Sequence, residues 1–529
     1  MLVEVTELTD FEIVVGLVAP IGTDLDLVCR ALCEELRSCR YESEVVRLSQ
    51  VLDDGADEPL PADATGDGYY TKRMDAGDAL RRRYLSGDAV AARAIAKIRD
   101  LRQEARPGAD IGQTARKAWI LRTLKHEEEA ALLRATYGSR FILVAVHQSE
   151  DARRARLRGE LEDQDPGGAG HDAAVSALIE RDSLDASDPL GQRVRETFVL
   201  ADYFLGADDD LRADVGRLVG LLFGKPFITP TPAEVAMYLA HGASLRSADP
   251  GRQVGAVITT ERGDVLAVGA NEVPRAGGGE YWPGDTDDAR DFVQGYDFNK
   301  RMTERALREF LDLLAKSGHL SGGLAGLPSD QRVQALRETD ADGRLSGSRL
   351  MSLIEFGRIV HAEMAAITQA ARSGHNLSNA TLFTTAFPCH LCMRLIISSG
   401  VRRVVYVDPY PKSLAIEMHA DALTLTGRQT EEQVSVEPFR GAAKSIYPRV
   451  FASVNRARTP RGEFKPWDGT VSRMRLASVD PLLGADEFEA QIPVALVPPV
   501  QTPLPPPPRG ADVSPTNDAG PKSTDEESA

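Results

Sequence analysis

Residues 361–392 read HAEMAAITQAARSGHNLSNATLFTTAFPCHLC. An alanine-rich helical pattern opens the stretch. A short run suited to a strand follows at residues 381–386 (TLFTTA), and Pro388 starts a second helix. The helical pattern of the first element extends from near residue 352 to about residue 373. His361 offers one nitrogen, and Cys389 and Cys392 offer two sulfurs at Cys-x-x-Cys spacing. A catalytic Zn²⁺ takes three protein ligands of this kind and keeps its fourth position open for water. Thiols at the start of a helix lie near the positive end of its dipole, which favours the thiolates a metal needs. Glu363, two residues beyond His361, is placed to act on that water without binding the metal. A carboxylate there can take a proton and deliver it to a ring nitrogen and a departing amine. A redox pair would sit in a thioredoxin-like βαβ pattern, and a structural Cys₄ site would need a second CxxC. The chain has neither.

Outward from this stretch, residues 253–259 (QVGAVIT) and 265–269 (VLAVG) read as a hairpin around the turn ERGD, preceded by a helix at 233–247. Strands at 401–407 and 434–436, with a helix between them, close the block. Residues 275–350 are rich in Gly, Asp and Arg around one amphipathic helix, 301–315, and read as an insertion over the site. Three prolines in residues 223–232 (FGKPFITPTP) mark the junction with an earlier block.

That earlier block begins with a buried strand at 11–18 (FEIVVGLV), the turn APIGTD, and a helix at 25–37. Strand, glycine turn and helix are how a phosphate-binding loop begins, which makes Gly16, Gly22, Thr23 and Asp24 candidate nucleotide-binding residues. A helix at 116–135, a strand at 141–147 (FILVAVH), a charged helix at 151–162 and the segment 194–204 complete an open α/β sheet with helices on both faces. A phosphate loop of the form GxxxxGK[ST] has four residues between its glycines. Here there are five, with Thr23 where lysine belongs, which removes the charge clamp for phosphoryl transfer but leaves nucleotide sensing open. The run holding Lys72, Arg73, Arg81, Arg82 and Arg83 reads as a solvated charged helix, with a phosphate-binding face as the alternative.

A length of 529 residues suggests about two to four domains. Hydrophobic residues at 42% and charged residues at 27% are ordinary for a globular chain and exclude general disorder. The sequence has no apolar run long enough for a spanning helix, and its acidic start lacks the pattern of a signal peptide. No membrane association is therefore expected. The five cysteines are odd in number, and Cys29 and Cys33 share the apolar face of one helix as small core residues. This is cytoplasmic usage rather than a disulfide framework. Acidic residues outnumber basic ones 79 to 62, a net −17 that argues against general nucleic-acid binding but not against one small phosphorylated ligand. From about residue 494 the Pro-rich tail, with PLPPPP, lacks the apolar content to fold.

The H-x-E and P-C-x-x-C motifs, with SADPGRQVGAVI (247–258), GANEVP (269–274) and VRRVVYVDPYPKS (401–413), resemble the cytidine and deoxycytidylate deaminase superfamily over residues 230–452, its deoxycytidylate branch above all. The resemblance implies a C-terminal α/β/α cytidine-deaminase-like domain and Zn²⁺ on His361, Cys389 and Cys392. It also implies Glu363 as the proton shuttle and Asn271 at the deoxyribose. The backbone around Val254 and Ala256, with residues 385–387, would flank the pyrimidine. Residues 11–205 resemble the P-loop kinase-like parallel sheet that precedes a deaminase in the anti-phage dCTP deaminases of bacterial defence. Its pieces are GLVAPIGTD (16–24), KRMDAGDALRRRY (72–84), LRTLKHEEEAALLRATYG (121–138) and the string ERDSLD…GQRVRETFVLADYF (180–204).

The expected organisation is a degenerate nucleotide-binding domain at 1–225, a zinc deaminase domain at 226–455, an extension at 456–493 and a disordered tail at 494–529. The expected reaction is deamination of free dCTP, or of dCMP, to the deoxyuridine nucleotide, depleting dCTP against phage. The expected partners are a small-molecule nucleotide substrate, a regulatory nucleotide at the N-terminal domain, further copies of the chain in a homo-oligomer and, in related systems, a regulatory small RNA. Two rivals are a housekeeping dCMP deaminase of thymidylate supply and a catalytically silent nucleotide sensor.

Overall fold

Short apolar runs, buried on both faces, build most of the first of the two sheets seen among the described residues, with the polar strand Glu42–Arg47 at its edge. In the computed structural model, Ile13–Val18 (β1), Glu42–Arg47 (β2), Lys117–Leu124 (β3), Phe141–His147 (β4) and Tyr203–Gly206 (β5) run parallel in the order β2-β3-β1-β4-β5. The structure describes residues 12–475 except 53–66, 106, 108–115, 165–169, 184, 186–187, 209, 321, 339, 341–344, 346–347, 410–412, 426–431, 453–460, 462, 465 and 473, together with residues 489 and 491. The Pro-rich tail from about residue 494 lies outside the described residues. Helices Leu25–Ser38 and Leu211–Leu222 cover one face of the sheet, around Val28, Leu32, Val215 and Leu218. Helices Ala89–Ala105 and Glu127–Tyr137 cover the other, around Ile95, Ile98 and Leu133. The layering is the expected one.

The second sheet is mixed. Gly255–Thr259 (β6), Val265–Ala270 (β7), Thr381–Ala386 (β8), Arg403–Asp408 (β9), Leu423–Thr424 (β10) and Val434–Pro438 (β11) lie in the order β10-β11-β9-β8-β6-β7. β6 and β7 form the expected antiparallel hairpin, and β8, β9 and β11 run parallel.

Three sequence expectations need correction. Residues 116–135 are not one helix: β3 occupies the first half, and helix Glu127–Tyr137 starts after a cap by His126. The run AWIL is buried on both faces between β1 and β2, and such a run has no period that separates strand from buried helix. The helix placed from near residue 352 begins only at Ala362, with His361 as its N-cap. The basic run is not wholly solvated. Arg81 is buried and pairs with Asp78 at 3.1 Å and Glu129 at 2.8 Å, partners that lie on two different helices.

The two sheets are tied together by chain that crosses between them. After β11, Gly441–Ala442 (β12) leaves the second sheet and pairs antiparallel with β5 at the edge of the first. Met237, Val257, Phe383 and Val405 of the second block share one apolar cluster with Leu133 and Phe204 of the first. The C-terminal extension returns as well. Met474 enters the first core, and Glu489 meets Arg102 at 2.7 Å and Tyr137 Oη at 3.1 Å, all buried.

Glu234 anchors this junction. Its carboxylate accepts from Thr231 N at 2.8 Å in a capping box, from Ala442 N at 3.0 Å, and from Arg217 Nη2 at 2.6 Å. Removing one member of a buried ion pair costs about 3–5 kcal/mol. Glu234→Ala is therefore expected to lower the unfolding free energy by about that amount in urea denaturation, the two blocks losing stability together.

Candidate metal centre and its pocket

Two helix N-termini converge on one point. β8, held between β6 and β9, leads through Pro388 to Cys389, the N-cap of helix His390–Ser398. His361 caps helix Ala362–Arg372, which packs on β7. Gly269 in β7 makes that approach close, since a Cβ there would stand 2.2 Å from Ala362 O. His361 Nδ1 lies 3.3 Å from both Cys389 Sγ and Cys392 Sγ. Among the described residues this is the one group of three His, Cys, Asp or Glu side chains close enough to hold a metal. Tetrahedral zinc with ordinary Zn–N and Zn–S bonds sets nitrogen and sulfur about 3.6 Å apart, so both nitrogen–sulfur pairs need to give only a few tenths of an ångström.

Glu363, in the first turn of its helix, is 3% exposed, with Oε2 3.4 Å from Cys392 Sγ. Burial pushes its carboxyl up. The hydrogen bond that the ring N–H donates to the Cys389 sulfur holds the His361 imidazole up to about 9. The neighbouring Cys392 thiol, with His361, brings Cys389 down to about 4, and the charge this places on Cys389, with burial, pushes Cys392 well up. The trio thus has one thiolate, one thiol and one imidazolium, where a metal needs two thiolates and a neutral ring.

A cavity of about 460 Å³ opens beside His361. Asp249 and Pro250, from the loop before β6, form one wall. Asp291, Phe292 and Tyr296 of the insertion form another, with Arg358 between them. The insertion therefore does border the site, as its position suggested. Arg358 is held there by Ala289 O at 3.0 Å and by the Phe298 ring, 4.6 Å from its guanidinium carbon.

Asn271 is 5% exposed and its amide is engaged within the protein. Oδ1 accepts from Val254 N at 2.7 Å, while Nδ2 donates to Asp249 Oδ2 at 3.0 Å and Arg252 O at 2.7 Å. It shapes the loop that walls the cavity. Val254 belongs to that loop, and Ala256 lies inside β6; neither lines the cavity. Sequence reasoning missed Glu272, whose buried carboxylate accepts from Ala248 N at 3.0 Å and approaches Arg290 of the insertion at 3.9 Å. Its adjacency to Asn271 was the available signal. Asp408, which pairs with Arg252 and lies 3.7 Å from Arg195 of the first block, was also missed. In the N-terminal block, Gly16 lies within β1, packed against Leu124 and Phe141. Gly22, Thr23 and Asp24 form the turn after it.

Residues 230–408 match the cytidine and deoxycytidylate deaminase zinc-binding region, which marks this segment as of the zinc-dependent deaminase type. The deoxycytidylate deaminase of Enterobacteria phage T2 is 41% identical over 54 residues, 10% of this chain and 29% of that protein. ComE operon protein 2 of Bacillus subtilis (strain 168) is 38% identical over 53 residues, 10% of this chain and 28% of that protein. The chain thus spans under a third of the length of these curated relatives. The dCMP deaminase of cyanophage S-TIM5, solved with dCMP and dUMP, is 18% identical, covering 40% of this chain and all of that one at a TM-score of 0.23. The donor set and the family match identify the resident metal as zinc, held by His361, Cys389 and Cys392.

Zinc uptake at neutral pH must displace protons from His361 and Cys392. Because the imidazolium persists below about 9, affinity is expected to weaken as pH falls. Chelator competition should show at least about tenfold weaker binding at pH 6 than at pH 8. Elemental analysis of Cys392→Ser should find most of the metal lost.

Proposed function

We propose that this chain hydrolytically deaminates a free cytosine deoxynucleotide, dCTP by preference and dCMP as well. The observation that carries the reading is a buried carboxylate, Glu363, set 3.4 Å from a sulfur of a three-ligand His-Cys-Cys cluster beside a cavity. Zinc, when bound, supplies a Lewis acid that makes water nucleophilic at neutral pH. Overall, water replaces the C4 amine: the C4–N bond breaks, C4 gains the oxygen, and the amine leaves as ammonia.

Glu363 takes one proton from water and passes it to N3 of the ring, then takes the second from the oxygen now on C4 and delivers it to the departing amine, which leaves C4 as a carbonyl. Burial suits it to the accepting half of that task, because a carboxyl pushed up by desolvation takes a proton more readily than one in water. Asn271 keeps the 249–254 loop in place as a wall. The insertion, through Phe292 and Tyr296, lines the cavity on another side and limits access of bulk water.

A small substrate fits better than a polynucleotide. The chain carries a net −17, which disfavours the long polyanion of a nucleic acid. The resemblance of residues 11–205 to the leading domain of anti-phage dCTP deaminases supports dCTP as the preferred substrate. It likewise supports dCTP depletion against phage as the role, in the cytoplasm and within a homo-oligomer.

Zinc-loaded protein given cytosine, deoxycytidine, dCMP, dCTP and single-stranded DNA is expected to release ammonia only from the nucleotides. Conversion of DNA alone would overturn the substrate class, and strict dCMP preference would point to thymidylate supply instead. Glu363→Gln should slow turnover by about 10²–10⁴-fold while elemental analysis still finds zinc. Phage protection that survives in this variant would favour a nucleotide sensor.

A further inference from the structure

The turn at residues 19–24 has the chain path of an anion-binding loop. β1 leads in, Gly22 takes a φ of 85°, and helix Leu25–Ser38 leads out. Four backbone donors at this turn and the helix start are nonetheless engaged within the protein. Ile21 N donates to Asp182 Oδ2 at 2.7 Å, Thr23 N to Pro20 O at 3.3 Å, Asp24 N to Gln148 Oε1 at 2.9 Å, and Leu25 N to Thr23 O at 2.8 Å.

Asp182 is 1% exposed and comes from the last turn of helix His171–Ser183. Its second oxygen accepts from Lys125 Nζ at 2.5 Å, and the same ammonium reaches Ala19 O at 3.3 Å. A carboxylate therefore sits where a phosphate would be held, between a loop N–H and a lysine ammonium. Arg153 closes the back of the turn by donating to Ile21 O at 3.1 Å. A small apolar cluster of Ile21, Met74, Leu157, Leu161, Val175 and Leu178 holds the helix of Asp182 over the turn. Asp24 adds a second negative charge at the turn: it caps its own helix through Leu27 N at 3.1 Å and pairs with Arg156 at 2.9 Å.

We propose that Asp182 is an internal anion that fills this loop, so that the resting chain takes no nucleotide phosphate there. Ile21 N–H and Lys125 become a phosphate site only when that carboxylate is removed. Sequence spacing suggested a nucleotide site with its lysine missing. The structure supplies a lysine from the short link between β3 and helix Glu127–Tyr137, together with the acid that neutralises it. The reading is independent of the deaminase assignment.

Full-length, zinc-loaded protein is titrated with Mg-ATP, which has no cytosine amine, by equilibrium dialysis. Wild type is expected to bind none up to about 1 mM. Asp182→Ala, which removes the carboxylate and vacates its place, should bind ATP at least about tenfold more tightly than wild type. Adding Lys125→Gln to that variant should abolish the gain. Wild-type binding that is lost in Lys125→Gln alone overturns the proposal. So does an Asp182→Ala protein of normal zinc content and melting temperature that gains nothing, or a gain that survives in the double variant. The wild-type and Lys125→Gln arms decide the question even where Asp182→Ala fails to fold.

Discussion

An imidazole and two sulfurs held within hydrogen-bond distance of one another, beside a buried carboxylate, form an arrangement that needs a cation. Left to themselves, these groups compete for protons, which is why Cys389 and Cys392 move in opposite directions and His361 is driven up. A divalent metal resolves the conflict at once, because its charge satisfies two thiolates and leaves the ring neutral. Much of the second block serves that one point. The close packing at Gly269 seats the His361 helix, and β8 between two partners delivers Cys389 to the same place.

The cavity wall is built by a different economy, in which polar side chains hold loops rather than face solvent. Asn271 and Glu272 are consecutive on the chain, yet each grips a separate part of the wall, the 249–254 loop and Ala248 with Arg290. Asp408 extends the same network toward the first block through Arg252 and Arg195. Together with the strand exchange of β12 and the shared apolar cluster, this leaves the two sheets mechanically continuous rather than simply tethered. A boundary drawn at the prolines near residue 225 divides the chain in sequence, but the packed body is not divided there.

Elements were legible from sequence where their signal is local. β4, β8 and the β6–β7 hairpin carry strand residues bounded by turn chemistry, and they appear where they were expected. β3 was misread because a strand buried on both faces has no alternation, and its identity is settled only by β1 and β2 alongside it. The start of the His361 helix was misplaced because the sequence ahead of it also looks helical, while residues before the cap are committed to lining the cavity. Arg81 looked like one more cation on a charged helix, and Asp78 and Glu129 turned it inward.

The amino-acid sequence alone determined the His361, Cys389 and Cys392 cluster and the carboxylate beside it, because a metal dictates residue types at short spacings that survive any packing. It also determined the two-block α/β organisation, since hydrophobic runs and proline punctuation act over a few residues. Only the tertiary structure decided what Asn271 holds, what the insertion covers, and which carboxylate occupies the N-terminal turn. Each of these depends on partners brought close by folding, Asp182 and Ile21 being 161 residues apart along the chain. No local pattern encodes such a meeting.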